Sequence, residues 1–245
     1  MTHDEKLELM QRRIDQLANE VAMHADREAV RTLQFKYGYY MDKCLFSEIV
    51  ELFAEDAVIY FLNGIYRGKR GARRMYGGAS GLSGPAYGML FEHIIAQDIV
   101  DVAPDRKTAR GRFRCFMQGG VHESKKDAPP RIPAQFLEAG IYENEYVKED
   151  GVWKISKLHG PFTMYSGWDG GWIKNATPNT RPDSFGEPPD LPPTVVYLTY
   201  PSYYIVPFHY PNPVTGKPFK PLIQEAGAYA SPTQVSLDNP KGSPR

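Results

Sequence analysis

The sequence predicts an α+β protein in which helices come first and an antiparallel meander follows. Three observations carry this expectation. Apolar residues recur at helical spacing from Leu7 through the segment IVELFAEDA. β-Branched and aromatic runs then flank the turn dipeptides Asn63-Gly64 and Asp150-Gly151. Strands never alternate with helices, as a parallel β-α-β sheet would require.

Leu7, Met10, Ile14, Leu17 and Val21 fall at alternating steps of three and four, the a/d spacing of a helix with one narrow apolar stripe. So short a helix is marginal alone, so the stripe is expected to pack on the body or, the reading preferred here, on another subunit. Asp26 offers an N-cap to a second helix with Val30, Leu33, Tyr37, Tyr40, Met41 and Cys44 on one face, and Ser47 offers one to a third. The runs VIYF and IYRGK make a hairpin, 70–76 a short helix, and 77–88 a glycine-rich loop read as a lid near a pocket mouth. The meander strands are expected over 93–102, 108–118, 135–148 and 152–159, with HESKKDAPPRIP as an insertion.

Beyond Gly160 prolines interleave with Tyr, Phe and Trp. Proline opposes long regular elements, yet VVYLTYPSYYIVPFHYP is too aromatic for a disordered tail, so this stretch is expected to lie ordered over the body or a neighbour. The last residues, SPTQVSLDNPKGSPR, are expected to fray. The expected organisation is an amphipathic helix over 1–25, a domain over 26–160 and an extension over 161–245.

The 245 residues suffice to bury a core without staples. Lys plus Arg equals Asp plus Glu at 29 each, with a pI near 7.0, so nothing pulls the chain toward nucleic acid or an anionic membrane. Cys44 and Cys115 are the only cysteines and neither has neighbours at metal-ligand spacing. No metal site and no disulfide is expected, and a reducing cytoplasm fits this usage. No apolar stretch of about 18 residues occurs, and the charged N-terminus does not read as a secretion signal. Phosphate-loop, dinucleotide, nucleophile-elbow and zinc-protease motifs are all absent, and GGASGLSG does not connect a strand to a helix at the spacing a phosphate loop needs.

Four stretches carry a family resemblance: REAVRTLQFKYGYYMDKCLFSEIVELFAEDAVIYF, GIYRGKRGARRMY, EHIIAQDIVDVAPDRKTARGRFRCFM and AGIYENEYVKEDGVWKI. Over 26–160 the chain resembles the SnoaL-like branch of the nuclear-transport-factor-2-like superfamily. The resemblance implies a cone-shaped, curved antiparallel sheet wrapped on helices around a deep apolar pocket. Relatives similar to scytalone dehydratase and bile-acid dehydratase bring a helical Tyr, an Asp five residues later and a strand His into that pocket. The matching positions are Tyr37, Asp42 and His93, while the Asn that often follows the His is replaced near Ala96. The long first helix and the Pro/Tyr-rich extension also look like the sphingomonad γ-formaldehyde lyases, which need no cofactor and convert lignin-derived diarylpropane or phenylcoumaran units to stilbenes.

Strand alternation gives further candidates. With Trp153 and Ile155 inward, Lys157 and His159 follow, so His159 either reaches the cavity or caps a carbonyl at the strand end. In the neighbouring strand the inward set is Phe136, Glu138, Gly140, Tyr142 and Asn144, and Glu143 and Glu145 face out. Glu138 is either a carboxyl suited to acid chemistry or a salt-bridge partner. His93 alternates with Ile95, Gln97 and Ile99. A register opposing Asp98 to Arg112 and Val100 to Arg110 turns Arg110, Arg112 and Arg114 outward, with Phe113, Cys115 and Met117 inside. A slip of one residue would turn Arg112 and Arg114 to the substrate. Tyr40, Tyr60, Tyr66, Tyr165, Trp168 and Trp172 are either walls for an aromatic ligand or packing.

These residues point to cofactor-independent proton transfer on a small aromatic substrate, with His93 or His159 as base and Tyr37 with Asp42 as acid. The expected reaction releases formaldehyde from a lignin-type dimer. Dehydration or isomerisation of a polycyclic substrate, and a non-catalytic role as an oxygenase small subunit or binding module, are the alternatives. A homo-oligomer, dimer or trimer, is expected.

Overall fold

The computed structural model describes residues 1–61, 64–77, 84–127, 134–174, 187–192, 200 and 205–219. Asn63 of the expected hairpin turn, the centre of the glycine-rich lid, the proline-rich end of the insertion and the stretch from Ser231 onward lie outside these residues.

Helix α1, His3–Asp42, is one continuous element rather than the two helices expected. Asp26 does not cap anything. It sits mid-helix, 4 % exposed, and its carboxylate accepts hydrogen bonds from Trp153 Nε1 (2.9 Å), Arg106 Nε (2.6 Å) and Lys148 Nζ (2.5 Å). A residue with good N-cap chemistry was thus recruited as a tertiary ion-pair hub, which spacing along one helix does not reveal. Burial alone would push its pKa up, but the hydrogen bonds from Lys148, Arg106 and Trp153 hold it at about 2. The buried face of α1 continues through Val30, Leu33, Gln34, Tyr37 and Gly38, one stripe of helical period.

After a turn through Cys44, which adopts a left-handed φ of 52°, comes α2, Phe46–Glu51. Its N-cap is Leu45 with no side-chain bond, so Ser47 is not the cap it was expected to be. Strands β1, Phe53–Phe61, and β2, Gly64–Arg67, pair antiparallel as the expected hairpin, and α3, Gly68–Gly77, covers the short helix expected over 70–76. Strands β3, Met89–Val102, β4, Thr108–Val121, β5, Gln135–Glu149, and β6, Val152–His159, form the antiparallel meander. The sheet runs β2-β1-β6-β5-β4-β3, with β1 and β6 its parallel pair, and curls without closing. Strand β7, Phe162–Gly167, which the sequence reading did not assign, pairs with the first half of β5 beyond the end of β6. A short turn of helix, α4, Gly171–Lys174, follows.

The core lies between the inner face of the sheet and α1, α2 and α3, and includes Val30, Tyr37, Ile49, Phe53, Ile59, Tyr66, Phe113, Trp153, Ile155 and Leu158. Arg31 Nε bonds Asp98 Oδ2 (2.8 Å) and Arg27 Nε bonds the Val100 carbonyl (3.0 Å), which fixes α1 along β3. Asn144 Nδ2 and the Tyr146 hydroxyl both donate to Gln34 Oε1, joining α1 to β5.

Two bulges change which way side chains point. In β3 the register shifts between Ala96 and Ile99, with Gln97 at φ 50°, so Arg112 faces Ile99 rather than Asp98, and Arg110 faces Asp101 rather than Val100. Past this point Val100 and Val102 are inward, whereas Gln97 and Ile99, expected inward, are exposed. In β6, Tyr146 pairs with Ile155 but Glu145 pairs with Lys157, leaving Ser156 as the extra residue. Leu158 then joins the core, and Lys157 turns outward to Glu145 Oε1 (3.1 Å).

Removing the Asp26 carboxylate leaves Arg106, Lys148 and the Trp153 N–H without their acceptor. Asp26→Ala is expected to lower unfolding free energy by about 2–4 kcal/mol in urea denaturation. The wild-type contribution is present above pH 3.8 and lost as pH falls toward 2, since the folded-state pKa is the depressed one.

Candidate active site

Register places the inner-face side chains in rows across the sheet. One row reads His93, Met117, Glu138, Tyr165 over β3, β4, β5 and β7. The next row toward the open end reads Phe91, Gly119, Phe136, Gly167, and the next inward reads Ile95, Cys115, Gly140. His93 and Glu138 are therefore two strands apart on one face, about 10 Å between backbones. All of Phe136, Glu138, Gly140, Tyr142 and Asn144 are buried, as alternation along β5 predicts.

Helix α1 comes down on this face at Gly38. A Cβ there would stand 2.8 Å from the His93 carbonyl oxygen, so only glycine permits the approach. The close seat brings Tyr37 edge-on to the rings of His93 and Tyr142, and its hydroxyl lies 3.0 Å from that of Tyr76 on α3. His93 Nε2 is 2.9 Å from the Tyr142 hydroxyl and 3.4 Å from Cys115 Sγ, and Nδ1 is 3.2 Å from Met117 Sδ. Asp42 does not reach the imidazole. Its Oδ1 accepts the backbone N–H of His93, which locks the end of α1 to β3 and sets where the ring points.

The cluster is electrically neutral at working pH. Burial pulls His93 down to about 4 and pushes the hydroxyls of Tyr37, Tyr76 and Tyr142 well above their ordinary range. Glu138 is close enough to raise Cys115 and Tyr142 further by its charge. Burial also raises the Asp42 carboxyl, against the pull of the His93 N–H. A neutral imidazole can take a proton, and its contact with Tyr142 is where phenol and imidazole can exchange one.

At the open end of the sheet lies a cleft of about 600 Å³ lined by Met89, Gly119, Val121 and Phe136 of the inner face, by Leu90, Gln118, Gly120 and Gln135, which alternate with them, and by Tyr87 and Trp168. The Phe136 ring occupies the place a side chain at Gly119 would take, 2.6 Å from the ideal Cβ, and lies tilted against the Phe91 ring at 6.2 Å between centroids. Trp168, expected as an aromatic wall, stands at this cleft, and Tyr165 stacks on Phe136 at 5.5 Å between centroids.

The other candidates are elsewhere. Tyr60 pairs with His159 across β1 and β6 while Ile59 and Leu158 enter the core, so Tyr60 and His159 occupy the face opposite His93. Their rings meet edge-on at 5.8 Å, and Lys157 Nζ lies over Tyr60. The expectation that His159 and Lys157 point inward fails because the Ser156 bulge inverts alternation. Burial, with Lys157 nearby, lowers His159 to about 3. Arg114 points out to Gln97 Oε1 (2.9 Å). Arg112 also points out, donating to Glu143 Oε2 (2.6 Å) and to the Val206 and Pro207 carbonyls, with its guanidinium 4.1 Å over the Phe208 ring. Neither arginine reaches the inner face as a substrate ligand. Glu143, expected in solvent, is covered by this C-terminal strap and also contacts His209 Nδ1. Tyr40 is half-buried against the core, Tyr66 is fully buried and donates to the Glu187 carbonyl, and Trp172 is exposed on α4. Tyr76 and Tyr142 were not among the sequence candidates. Tyr142 was readable as inward but carried no motif, and Tyr76 depends on how α3 folds over β1.

Among the described residues no cluster of three His, Cys, Asp or Glu side chains could hold a metal ion, and no helix is long and apolar enough to cross a membrane.

Because His93 and His159 are buried neutral, the unfolded chain binds protons the folded one does not from pH 6.5 down to about 4 for His93 and about 3 for His159. Stability is full above pH 6.5 and falls as pH drops through this window. The contributions to that fall are on the order of 3 kcal/mol for His93 and 5 kcal/mol for His159. Melting temperatures across pH 4–7 should show a clearly shallower slope for His93→Gln than for wild type; an unchanged slope contradicts the burial of a neutral ring.

No curated protein matches the chain. Solved structures of similar shape include a hexachlorocyclohexane dehydrochlorinase, LinA type 2, at 22% identity over 62% of this chain and 94% of that one, with TM-score 0.49. LinA-type3 from Novosphingobium barchaimii LL02 gives 22%, 62%, 95% and 0.49. A candidate scytalone dehydratase from Novosphingobium aromaticivorans DSM 12444 gives 20%, 67%, 98% and 0.46. These likenesses concern shape and not chemistry. The family model described as SnoaL-like domain matches residues 22–159, more than half of the chain. The helices on a curled, unclosed sheet and the matched residues agree: this chain belongs to the SnoaL-like domain family.

Proposed function

We propose that the protein is a cofactor-independent lyase that releases formaldehyde from a lignin-derived aromatic dimer of the diarylpropane type and leaves a stilbene. The observation that carries the reading is the row of His93 and Glu138 on one inner face, with His93 on the Tyr142 hydroxyl and an aromatic-walled cleft one row away. Proton transfer needs a base that is neutral and an acid across the substrate from it. Apolar walls suit flat rings and keep water from the reacting carbons.

The substrate of this reading is a diarylpropane-1,3-diol. His93 takes the proton of the γ-hydroxyl as the bond between the β- and γ-carbons breaks and formaldehyde forms. The electron pair of that bond becomes the double bond between the α- and β-carbons. The α-hydroxyl leaves as water with a proton supplied by Glu138, which enters this step as the carboxylic acid and ends it as the carboxylate, so substrate becomes stilbene, formaldehyde and water. Tyr142 exchanges a proton with His93, Tyr37 and Tyr76 hold the hydroxyl array, and Asp42 acts as a positioning residue through the His93 backbone.

Incubation of the purified, chelator-treated protein with such a diol should yield formaldehyde and stilbene absorbance in equal amounts. Losing a true base or acid costs roughly 10²–10⁴ in rate, so His93→Ala should fall by that factor, with Tyr142→Phe also impaired, while His159→Gln stays within a few-fold of wild type. Water loss without formaldehyde would indicate a dehydratase. Neither product from any aromatic diol would leave a binding role.

A further inference from the structure

The first half of α1 carries a surface that the other described residues leave uncovered. Every residue from Met1 to Val21 is exposed, and the stripe of Leu7, Met10, Ile14, Leu17 and Val21 ranges from 43 % exposed at Leu17 to 67 % at Val21. The segment is nonetheless built as a helix. Thr2 and Glu5 form a reciprocal capping box, and Gln11–Asp15, Gln16–Glu20 and Glu8–Arg12 brace the polar faces one turn apart. A projecting helix about 28 Å long, from His3 to Val21, has little stability without tertiary contacts. Its apolar stripe therefore calls for a partner surface of the same length and shape.

The charges select that partner. With Leu7, Ile14 and Val21 as a positions and Met10 and Leu17 as d positions, Arg13 and Glu20 fall at g, flanking the stripe. Within one chain Gln16 bonds both of them, and neither forms an ion pair among the described residues. A parallel second helix would bring Arg13 and Glu20 opposite Ala18 and Ala25. An antiparallel second helix with Ile14 level with Leu17, and Met10 level with Val21, sets Arg13 against Glu20 of the other copy twice over. All four central layers are then apolar.

We propose that two copies of this chain associate through an antiparallel coiled coil of residues 7–21, in this register, with Arg13–Glu20 pairs on both flanks. The two SnoaL-like bodies then lie at opposite ends of the paired helices, and neither inner-face site takes part in the contact.

The register is tested by disulfide trapping, for which the buried Cys44 and Cys115 provide a quiet background. A mixture of Met10→Cys and Val21→Cys full-length chains should cross-link to each other under mild oxidation, and Leu7→Cys should not cross-link to itself. Sedimentation should show a smaller assembly for Ile14→Glu/Leu17→Glu and for Arg13→Glu, and recovery of the wild-type mass in Arg13→Glu/Glu20→Arg. Self-cross-linking at Leu7, a monomeric wild type, or an unchanged mass in Ile14→Glu/Leu17→Glu would each overturn the proposal. An unchanged mass together with a lowered melting temperature would assign the stripe to a segment of its own chain instead.

Discussion

The approach of Gly38 to the His93 carbonyl sets the geometry on which the rest of the inner face depends. Because α1 has no side chain at that point, its axis lies close to β3, and the Asp42 carboxylate can reach the His93 N–H. The same seat carries Tyr37 over His93 and Tyr142. At the other end of the contact Asp26 gathers Arg106, Lys148 and Trp153, so that the helix is held at both ends of its buried half. Backbone approach supplies position and charge supplies orientation. Helix and sheet together define a site that neither could define alone.

Burial then determines the chemistry available. A hydrogen-bonded array of phenols and one imidazole in a dry setting has every member neutral, which keeps the base free at working pH and makes each hydroxyl a reluctant acid. Glu138 is the acid that shares the inner-face row with this array, one strand from Met117 and two from His93. Gly119 and Gly140 lie on the same face as Phe136 and Glu138, and their missing side chains make room for the Phe136 ring and for the backbone at Pro161 and Phe162. The outer face has a different task. Arg112 and Glu143 fasten the strap through Val206 to His209, which accounts for charged side chains there without recourse to substrate.

Much of this was legible in the sequence where local rules hold without interruption. The β5 alternation from Phe136 to Asn144 and the outward row of Arg110, Arg112 and Arg114 follow from side-chain period alone, as does the order of the meander. His93 and Tyr37 came from a family spacing, and their inward placement agrees with it. What misled was irregularity. The Gln97 bulge and the extra Ser156 each insert one residue, and alternation cannot anticipate an insertion, so Gln97, Ile99, Lys157 and His159 were turned the wrong way. Asp26 and Ser47 carry capping chemistry that the fold leaves unused: Asp26 lies inside the continuous α1 and gathers a tertiary ion-pair cluster, and Ser47 is already within α2, which starts one residue earlier. Tyr76 joins the site only through packing of α3 on β1, a contact between elements that no spacing encodes.

The chemistry depends on which face of the sheet holds the substrate. A crystal structure of the protein with a stilbene product bound tests this most directly. The prediction is that one ring lies in the cleft between Phe136 and Trp168 and that the alkene carbons stand beside His93 and Glu138. A product seated on the opposite face, against Tyr60 and His159, would contradict it.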